Sequence, residues 1–195
     1  GKNSSGQLGN NSTATSTTPV RTLQSTTPGD YLTGVVAVSA DFGHTLALKN
    51  DGTVWSWGLN HHGQLGTGSC CAGRLYAAPV TGLTGFFTAV AAGDAYSLAV
   101  RNDGAVFAWG FNVHGKLGDG TITDRYSPVQ VNVLTNAATV SAKFDHSVAL
   151  STDGKVYTWG RNDTWQLGTG DFSDRLQPTL VSGLSAMTTT AIAAG

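Results

Sequence analysis

The sequence is poor in charged residues, and its few basic residues are scattered. Only 12% of the 195 residues are charged, against about 25% in an average soluble domain, and the formal net charge is -1. Because no basic patch forms, the electrostatic basis for binding phosphates is missing, and we expect no nucleic-acid partner. No run of about 18 apolar residues occurs either, so we expect no membrane insertion.

Cysteine is nearly absent as well. The only two cysteines, Cys70 and Cys71, are adjacent, which gives neither the C-x-x-C spacing of a zinc site nor a disulfide framework. We expect two loop thiols; a disulfide between the two neighbours and a bond to a partner are the alternatives.

What the chain does contain favours strands and turns. Hydrophobic residues make up 40% of the sequence, enough for a buried core, and Gly reaches 26 residues. Most polar positions are Ser, Thr or Asn. This composition is typical of bacterial surface and secreted proteins, and it is the only indication of a compartment.

One template recurs at intervals of about 50 residues. Its four copies begin at Gly1, Gly58, Gly110 and Gly160, and the second reads Gly-Leu-Asn-His-His-Gly-Gln-Leu-Gly. The longest interval is the first, where residues 26–30 read as an insertion in a connecting loop. Such a fixed period indicates tandem structural repeats.

Three of the periods carry a block with the pattern of a β-hairpin. In residues 44–57, 96–109 and 146–159, two runs with alternating apolar residues flank an Asp-Gly pair, which suits a tight turn. A strand of small residues, clearest at 89–93, precedes the hairpin. A strand that begins at Pro79, Pro128 or Pro178 is expected to follow it, because Pro suits a strand start or a sheet edge.

Four short strands in each period are typical of a β-propeller blade. The sequence therefore predicts an all-β fold of about four consecutive four-stranded blades. Residues 1–195 are interpreted as one propeller segment without a second domain.

The combined pattern resembles the regulator of chromosome condensation (RCC1-like) repeat of the bacterial type. The shared elements are V-A-A-G, H-S-L-A-L, D-G, V-Y-x-W-G-x-N-x-x-G-Q-L-G and P-V, and they cover nearly the whole chain. The resemblance implies part of a seven-bladed ring, which further repeats or other copies of the chain would close. The chain departs from the pattern at Trp165 and Lys143, where the template has Gly.

The motifs that resemble catalytic or ligand-binding sites fit structural roles better than chemical ones. Gly110 to Lys116 has the stem of a phosphate-binding loop but Leu117 where Ser or Thr should follow, and the positions equivalent to Lys116 are Gln. The histidines occupy equivalent positions in successive repeats, which does not gather metal ligands. The Asp-rich loops lack calcium-loop spacing. We therefore expect no enzyme activity, no cofactor and no metal.

The leading hypothesis is a scaffold that binds a protein partner through loops on one face. The strand directions place the long loops 60–74, 112–125 and 162–175 on the face of the short links at 41–43, 94–95 and 144–145. Variable and aromatic loop residues are the candidate partner-binding set: His61, Phe111, Val113, Arg125, Trp165 and Phe172. For Trp165 and Phe172, packing between blades is the alternative.

Two other functions stay open. One is a structural spacer in a larger surface or secreted protein. The other, implied by the resemblance, is regulation of a small GTPase by guanine-nucleotide exchange, although no segment of this chain maps onto the family's exchange wedge.

Overall fold

The structure, a computed structural model, describes residues 1–184 and 187–195. These residues form three antiparallel sheets of four strands and two 3₁₀ turns, Val113–Gly115 and Ser182–Leu184. Within the described ranges, no helix is long and apolar enough to cross a membrane. The strands are β1 (Val35–Asp41), β2 (His44–Lys49), β3 (Val54–Gly58), β4 (Arg74–Pro79), β5 (Phe87–Gly93), β6 (Tyr96–Arg101), β7 (Val106–Gly110), β8 (Arg125–Val131), β9 (Ala137–Lys143), β10 (His146–Ser151), β11 (Val156–Gly160) and β12 (Arg175–Leu180).

Each sheet is a meander whose strands pair in chain order. The Asp-Gly pairs lie in the turns between the second and third strands, and the registers agree across the sheets: Leu46 pairs with Ser56, Leu98 with Ala108 and Val148 with Thr158. The predicted all-β fold and its three hairpins are confirmed. We call the three sheets the first, second and third blades.

The prediction that Pro begins the outer strand is wrong. The outer strands begin instead at Arg74, Arg125 and Arg175, so Pro79 ends its strand and Pro128 and Pro178 lie inside theirs. An outer strand pairs on one side only, and its register shifts beside Gly58, Gly110 and Gly160. A residue without an N–H donor is tolerated at such an edge.

The hydrophobic core lies between the blades. One cluster joins Leu46, Leu48 and Val54 of the first blade to Phe87 and Trp109 of the second. A second cluster joins the second blade to Val140 and Trp159 of the third. Strands that are buried on both faces need apolar residues at successive positions, which explains the run of buried side chains along β2, β6 and β10.

The first template copy is a loop rather than a full blade. Residues 1–9 pack on the first blade, where Gln7 O accepts a hydrogen bond from Trp57 Nε1 at 2.8 Å. The expected insertion at 26–30 lies in a loop closed by the bridge between Leu23 and Tyr31. Near the other end, Ala194 N donates to Ser141 Oγ at 2.9 Å, as Ala92 N does to Ser39 Oγ between the first two blades.

Candidate functional site: the long-loop face

The three long loops leave the blades on one face. Leu59 N, Phe111 N and Arg161 N, at the start of these loops, donate to Gly43 O, Ala95 O and Asp145 O at 2.8 to 2.9 Å. Those carbonyls belong to the short turns between the first and second strands. We call this surface the long-loop face: residues 60–74, 112–125 and 162–175 with the turns at 42–43, 94–95 and 144–145.

A buried asparagine fixes each long loop. The Oδ1 atoms of Asn60, Asn112 and Asn162 each accept the backbone N–H of a Leu five residues later at 3.0 Å. Their Nδ2 groups donate to loop oxygens further along, such as Ser69 O and Thr121 O. The recurring Asn of the template is therefore a structural residue that gives the loops a defined shape.

The first two long loops also hold the next blade. Gln64 O accepts hydrogen bonds from Trp109 Nε1 and Ser97 Oγ of the second blade, both at 2.9 Å. Lys116 O accepts the same pair of bonds from Trp159 and Ser147 of the third. A side-chain pair follows: His62 Nδ1 lies 3.1 Å from Asp124 Oδ2, and His114 Nδ1 lies 2.7 Å from Asp174 Oδ2.

Close packing at this interface requires glycine. Gly6, Gly63 and Gly115 have φ of 76°, 81° and 72°, and each lies against the second residue of the next outer strand. A Cβ at Gly115 would lie 2.4 Å from Leu176 Cδ2 and 2.7 Å from its Cα; at Gly63 the corresponding distances to Tyr126 Cδ1 and Cα are 2.6 and 2.7 Å. A neighbouring side chain can move, but a neighbouring Cα cannot move without displacing the strand.

Trp165 occupies the equivalent position in the third loop. Its φ of 63° matches that of the glycines. The indole packs edge to face on Phe172, with ring centroids 4.1 Å apart, and the two side chains are 52% and 58% exposed. Thr164, in addition, replaces the histidine of the earlier loops. The third loop thus lacks the histidine and the glycine that contact the following blade in the first two long loops.

Lys116, which fills the template position that is Gln in the other copies, has a structural role. Its fully buried Nζ donates to Asp94 O at 2.9 Å and to Asp145 Oδ1 at 2.8 Å, between the second and third blades. Burial lowers the pKa of Lys116, while the hydrogen bond and charge of Asp145 oppose that effect. Gln64 fills the equivalent position in the first loop, where Ala95 replaces the carboxylate.

The six predicted site residues fall into two groups. His61, Val113, Trp165 and Phe172 are exposed on the long-loop face. The other two are half-buried and engaged in internal contacts. Phe111 stacks on His62 with centroids 4.2 Å apart, and Arg125 Nε donates to Asp119 Oδ2 at 2.7 Å.

Sequence reasoning missed two exposed aromatic residues on this face. Phe42 and Phe144 are 76% and 60% exposed and hold φ of 47° and 44° in equivalent turns. A bulky residue at positive φ is rare. The sequence did contain a signal for them, because Phe42 and Phe144 occupy the same position in two repeats. Lys143, beside Phe144, reaches the first blade and pairs with Asp41 at 3.2 Å.

The cysteine pair also differs from the expected loop thiols. Cys70 and Cys71, near the tip of the first long loop, are joined by a disulfide. The alternative of a bond between the two neighbours is the one that the structure contains.

The repeats of this chain match those of a known family. The model of the regulator of chromosome condensation (RCC1) repeat matches residues 51–100, 103–150 and 153–195. The chain belongs to the RCC1 repeat family. Each matched RCC1 repeat begins at the Asp-Gly turn of one blade, and the first two end in the second strand of the next blade. The sequence repeat is therefore offset from the structural blade.

Curated relatives share these RCC1 repeats over about half of the chain. A human protein described as probable E3 ubiquitin-protein ligase HERC3 is 42% identical over 107 residues, which are 54% of this chain and 10% of that protein. The mitochondrial RCC1 domain-containing protein RUG3 of Arabidopsis thaliana is 34% identical over 107 residues, 24% of its length. The chain thus spans a small part of the relatives that it matches.

Solved structures extend the similarity to the fold. Prp20p of Saccharomyces cerevisiae, described with its binding properties to Gsp1p and histones, has a TM-score of 0.71 and 25% identity, covering 79% of this chain and 39% of Prp20p. Human WBSCR16 has a TM-score of 0.73 and 24% identity, covering 83% of this chain and 42% of that one. The three sheets are β-propeller blades of the RCC1 type.

Proposed function

We propose that this chain is a non-enzymatic propeller scaffold that binds a protein partner through the long-loop face. The observation that carries the proposal is the Trp165 and Phe172 pair. A tryptophan stands where three other copies need glycine, and both rings are more than half exposed. Aromatic side chains on rigid loops give much contact area for little lost entropy.

The remaining predicted residues extend the proposed surface. His61 and Val113 lie exposed on the first and second loops, and Phe42 and Phe144 add apolar area at the turns. Phe111 and Arg125 act indirectly in this proposal, because their internal contacts fix the loops that carry the exposed residues. The acidic and basic side chains of the face largely pair with one another, which favours recognition through apolar contacts.

The test compares partner capture with stability. Trp165→Ala, Phe172→Ala and the double variant are used as immobilised baits, with crosslinking, beside the unaltered chain. Val133→Ala is the matched control, since Val133 is 55% exposed at the opposite end of the blades. We expect the aromatic variants to lose captured proteins at an unchanged melting temperature. A lowered melting temperature with intact capture contradicts the proposal, and no specific capture by any bait favours a spacer.

A second candidate is regulation of a small GTPase by nucleotide exchange. It is favoured by the similarity to Prp20p, which covers 79% of this chain. The assay uses Gsp1p loaded with a fluorescent guanine nucleotide. A scaffold without exchange activity leaves the release rate unchanged, whereas accelerated release supports the second candidate.

A further inference from the structure

The first long loop lacks the ion pair that stabilises the other two. Arg125 Nε donates to Asp119 Oδ2 at 2.7 Å in the second loop, and Arg175 Nη2 to Asp171 Oδ2 at 2.6 Å in the third. Residues 66–74 contain no acidic residue. Arg74, at the position of these arginines, has a buried Nη1 without a hydrogen-bond partner in the described part of the chain.

The Cys70–Cys71 disulfide lies in this loop, between Thr67, at the position of Asp119, and Arg74. On either side of it, Ser69 O and Ala72 O accept hydrogen bonds from Asn60 Nδ2 at 3.1 and 3.2 Å. Cys71 N donates to Asn60 O at 2.7 Å. The covalent link thus lies between the anchor points of the loop.

The backbone at Cys71 depends on this arrangement. Its φ is 77°, a left-handed conformation that a residue with a Cβ rarely adopts. The surrounding contacts, including the disulfide, hold it there. Free thiols remove one of these restraints, so the backbone can return to an ordinary conformation and the 69–72 turn can open.

Reagents can reach the bond. Cys71 is exposed and Cys70 half-buried on the long-loop face, with Cys71 Sγ 3.9 Å from His61 O. Thiol–disulfide exchange needs this access, because a thiolate must attack one sulfur directly.

We propose that Cys70–Cys71 is a reversible thiol–disulfide site whose oxidation state sets the conformation of the first long loop. The co-substrate is a dithiol. One thiolate of the dithiol attacks a sulfur and the S–S bond breaks; its second thiolate resolves the mixed disulfide. Two electrons and two protons pass to Cys70 and Cys71, and the dithiol leaves as a disulfide. This site does not depend on the identity of a protein partner.

The experiment uses trypsin, because each long loop ends at an arginine. The chain is prepared oxidised or reduced with dithiothreitol, its free thiols are counted with a chromogenic disulfide reagent, and cleavage after Arg74, Arg125 and Arg175 is followed by mass spectrometry. We expect reduction to accelerate cleavage after Arg74 about tenfold, since local opening governs proteolysis. Cleavage after Arg125 and Arg175 serves as the internal reference and should not change.

Two variants separate the disulfide from other effects of the reductant. Cys70→Ser/Cys71→Ser should behave as the reduced chain and ignore dithiothreitol. Adding Thr67→Asp places a carboxylate at the position of Asp119 and should restore protection of Arg74 without redox dependence. The proposal is overturned if the oxidised chain keeps two reactive thiols, if the cysteines link two chains, or if cleavage after Arg74 is indifferent to reduction.

Discussion

At the scale of single residues, His44 shows how a template position joins two blades. Its fully buried ring places Nε2 3.0 Å from Ser97 Oγ of the second blade. Tyr96 fills the same position one repeat later, and its hydroxyl donates to His146 O at 2.6 Å. His146 holds the same position in β10, where it is also buried.

Burial gives His44 a measurable effect on stability. Burial lowers its pKa to about 4, while the charge of Asp41 acts in the opposite direction. The unfolded chain takes up a proton below about pH 6.5, whereas the folded chain resists protonation down to about pH 4. The stabilisation is therefore complete above pH 6.5 and is lost as the pH falls toward 4, by roughly 1.4 kcal/mol per pH unit.

We expect urea unfolding of His44→Gln and His44→Tyr to show a shallower fall in free energy between pH 6.5 and 4 than the unaltered chain. Glutamine keeps a hydrogen-bond partner for Ser97, and tyrosine occurs at this position in the second blade. An unchanged slope in both variants would show that another group controls the acid transition.

Lys116 and Gln64 occupy equivalent positions at two successive blade interfaces, so the ion pair of Lys116 can be introduced at the interface of Gln64. Gln64→Lys buries an ammonium group opposite Ala95, and we expect it to lower the free energy of unfolding by about 3 kcal/mol. Adding Ala95→Asp supplies the missing carboxylate, and Asp also tolerates the φ of 61° at this position. Chemical denaturation should show that the pair recovers most of the loss. If Ala95→Asp does not rescue Gln64→Lys, the Lys116 contact depends on more than its carboxylate.

At the scale of loops and strands, the glycine of the template decides whether two blades pack. Gly115→Ala should lower the free energy of unfolding by about 2 to 4 kcal/mol, because the new Cβ meets the Cα of Leu176. Trp165→Gly should change it by less than about 1 kcal/mol, since the lost ring contact is offset by relief of backbone strain. Thermal and urea unfolding measure both.

Gly170 allows the energetic cost of crowding to be separated from the cost of the backbone conformation. Gly170 has φ of 85°, and among the described residues no atom other than those of its chain neighbours lies within 4 Å of its would-be Cβ. Gly170→Ala therefore reports the conformational cost alone, about 1 kcal/mol. A loss at Gly115→Ala no larger than this would refute the crowding argument.

The strands and turns were predictable where their sequence patterns lie within a few neighbouring residues. Asp-Gly flanked by alternating apolar residues defines a hairpin without reference to the rest of the molecule. The starts of the outer strands were not predictable, because Pro marks an edge but not where pairing begins. The bonds from Trp109 to Gln64 O and from Lys116 to Asp145 depend on how two blades stack, which no single repeat encodes.

At the scale of the whole molecule, the exposed face of the first blade bears on ring closure. Val38 is 68% exposed, whereas Val90 and Val140, at the equivalent positions, pack between blades. The prediction that further repeats or other copies close the ring therefore implies that Val38 is covered in the assembled protein.

Maleimide labelling of Val38→Cys checks this implication. We expect labelling to slow about tenfold when the ring is complete, because burial removes access to the thiol. Phe42→Cys is the control, since Phe42 lies in the turn between β1 and β2 and is 76% exposed. Equal labelling of both positions in the assembled protein would contradict the predicted closure.

The candidate binding surface was only partly predictable at this scale. The strand directions located the long-loop face, and Trp165 stood out because it broke the repeat. Phe111 and Arg125 were predicted beside it, yet both are half-buried and make internal contacts with His62 and Asp119. Variation along a sequence does not distinguish a side chain that meets a partner from one that supports a neighbouring loop.

The offset between sequence repeat and blade has a consequence for how such proteins grow. A duplication of one period copies the outer half of one blade together with the inner half of the next. The inserted segment thus carries both sides of an interface, including the loop carbonyl and the serine hydroxyl that donates to it, as Ser97 does to Gln64 O and Ser147 does to Lys116 O. Unequal recombination can lengthen the array while every new member arrives already matched to its neighbours.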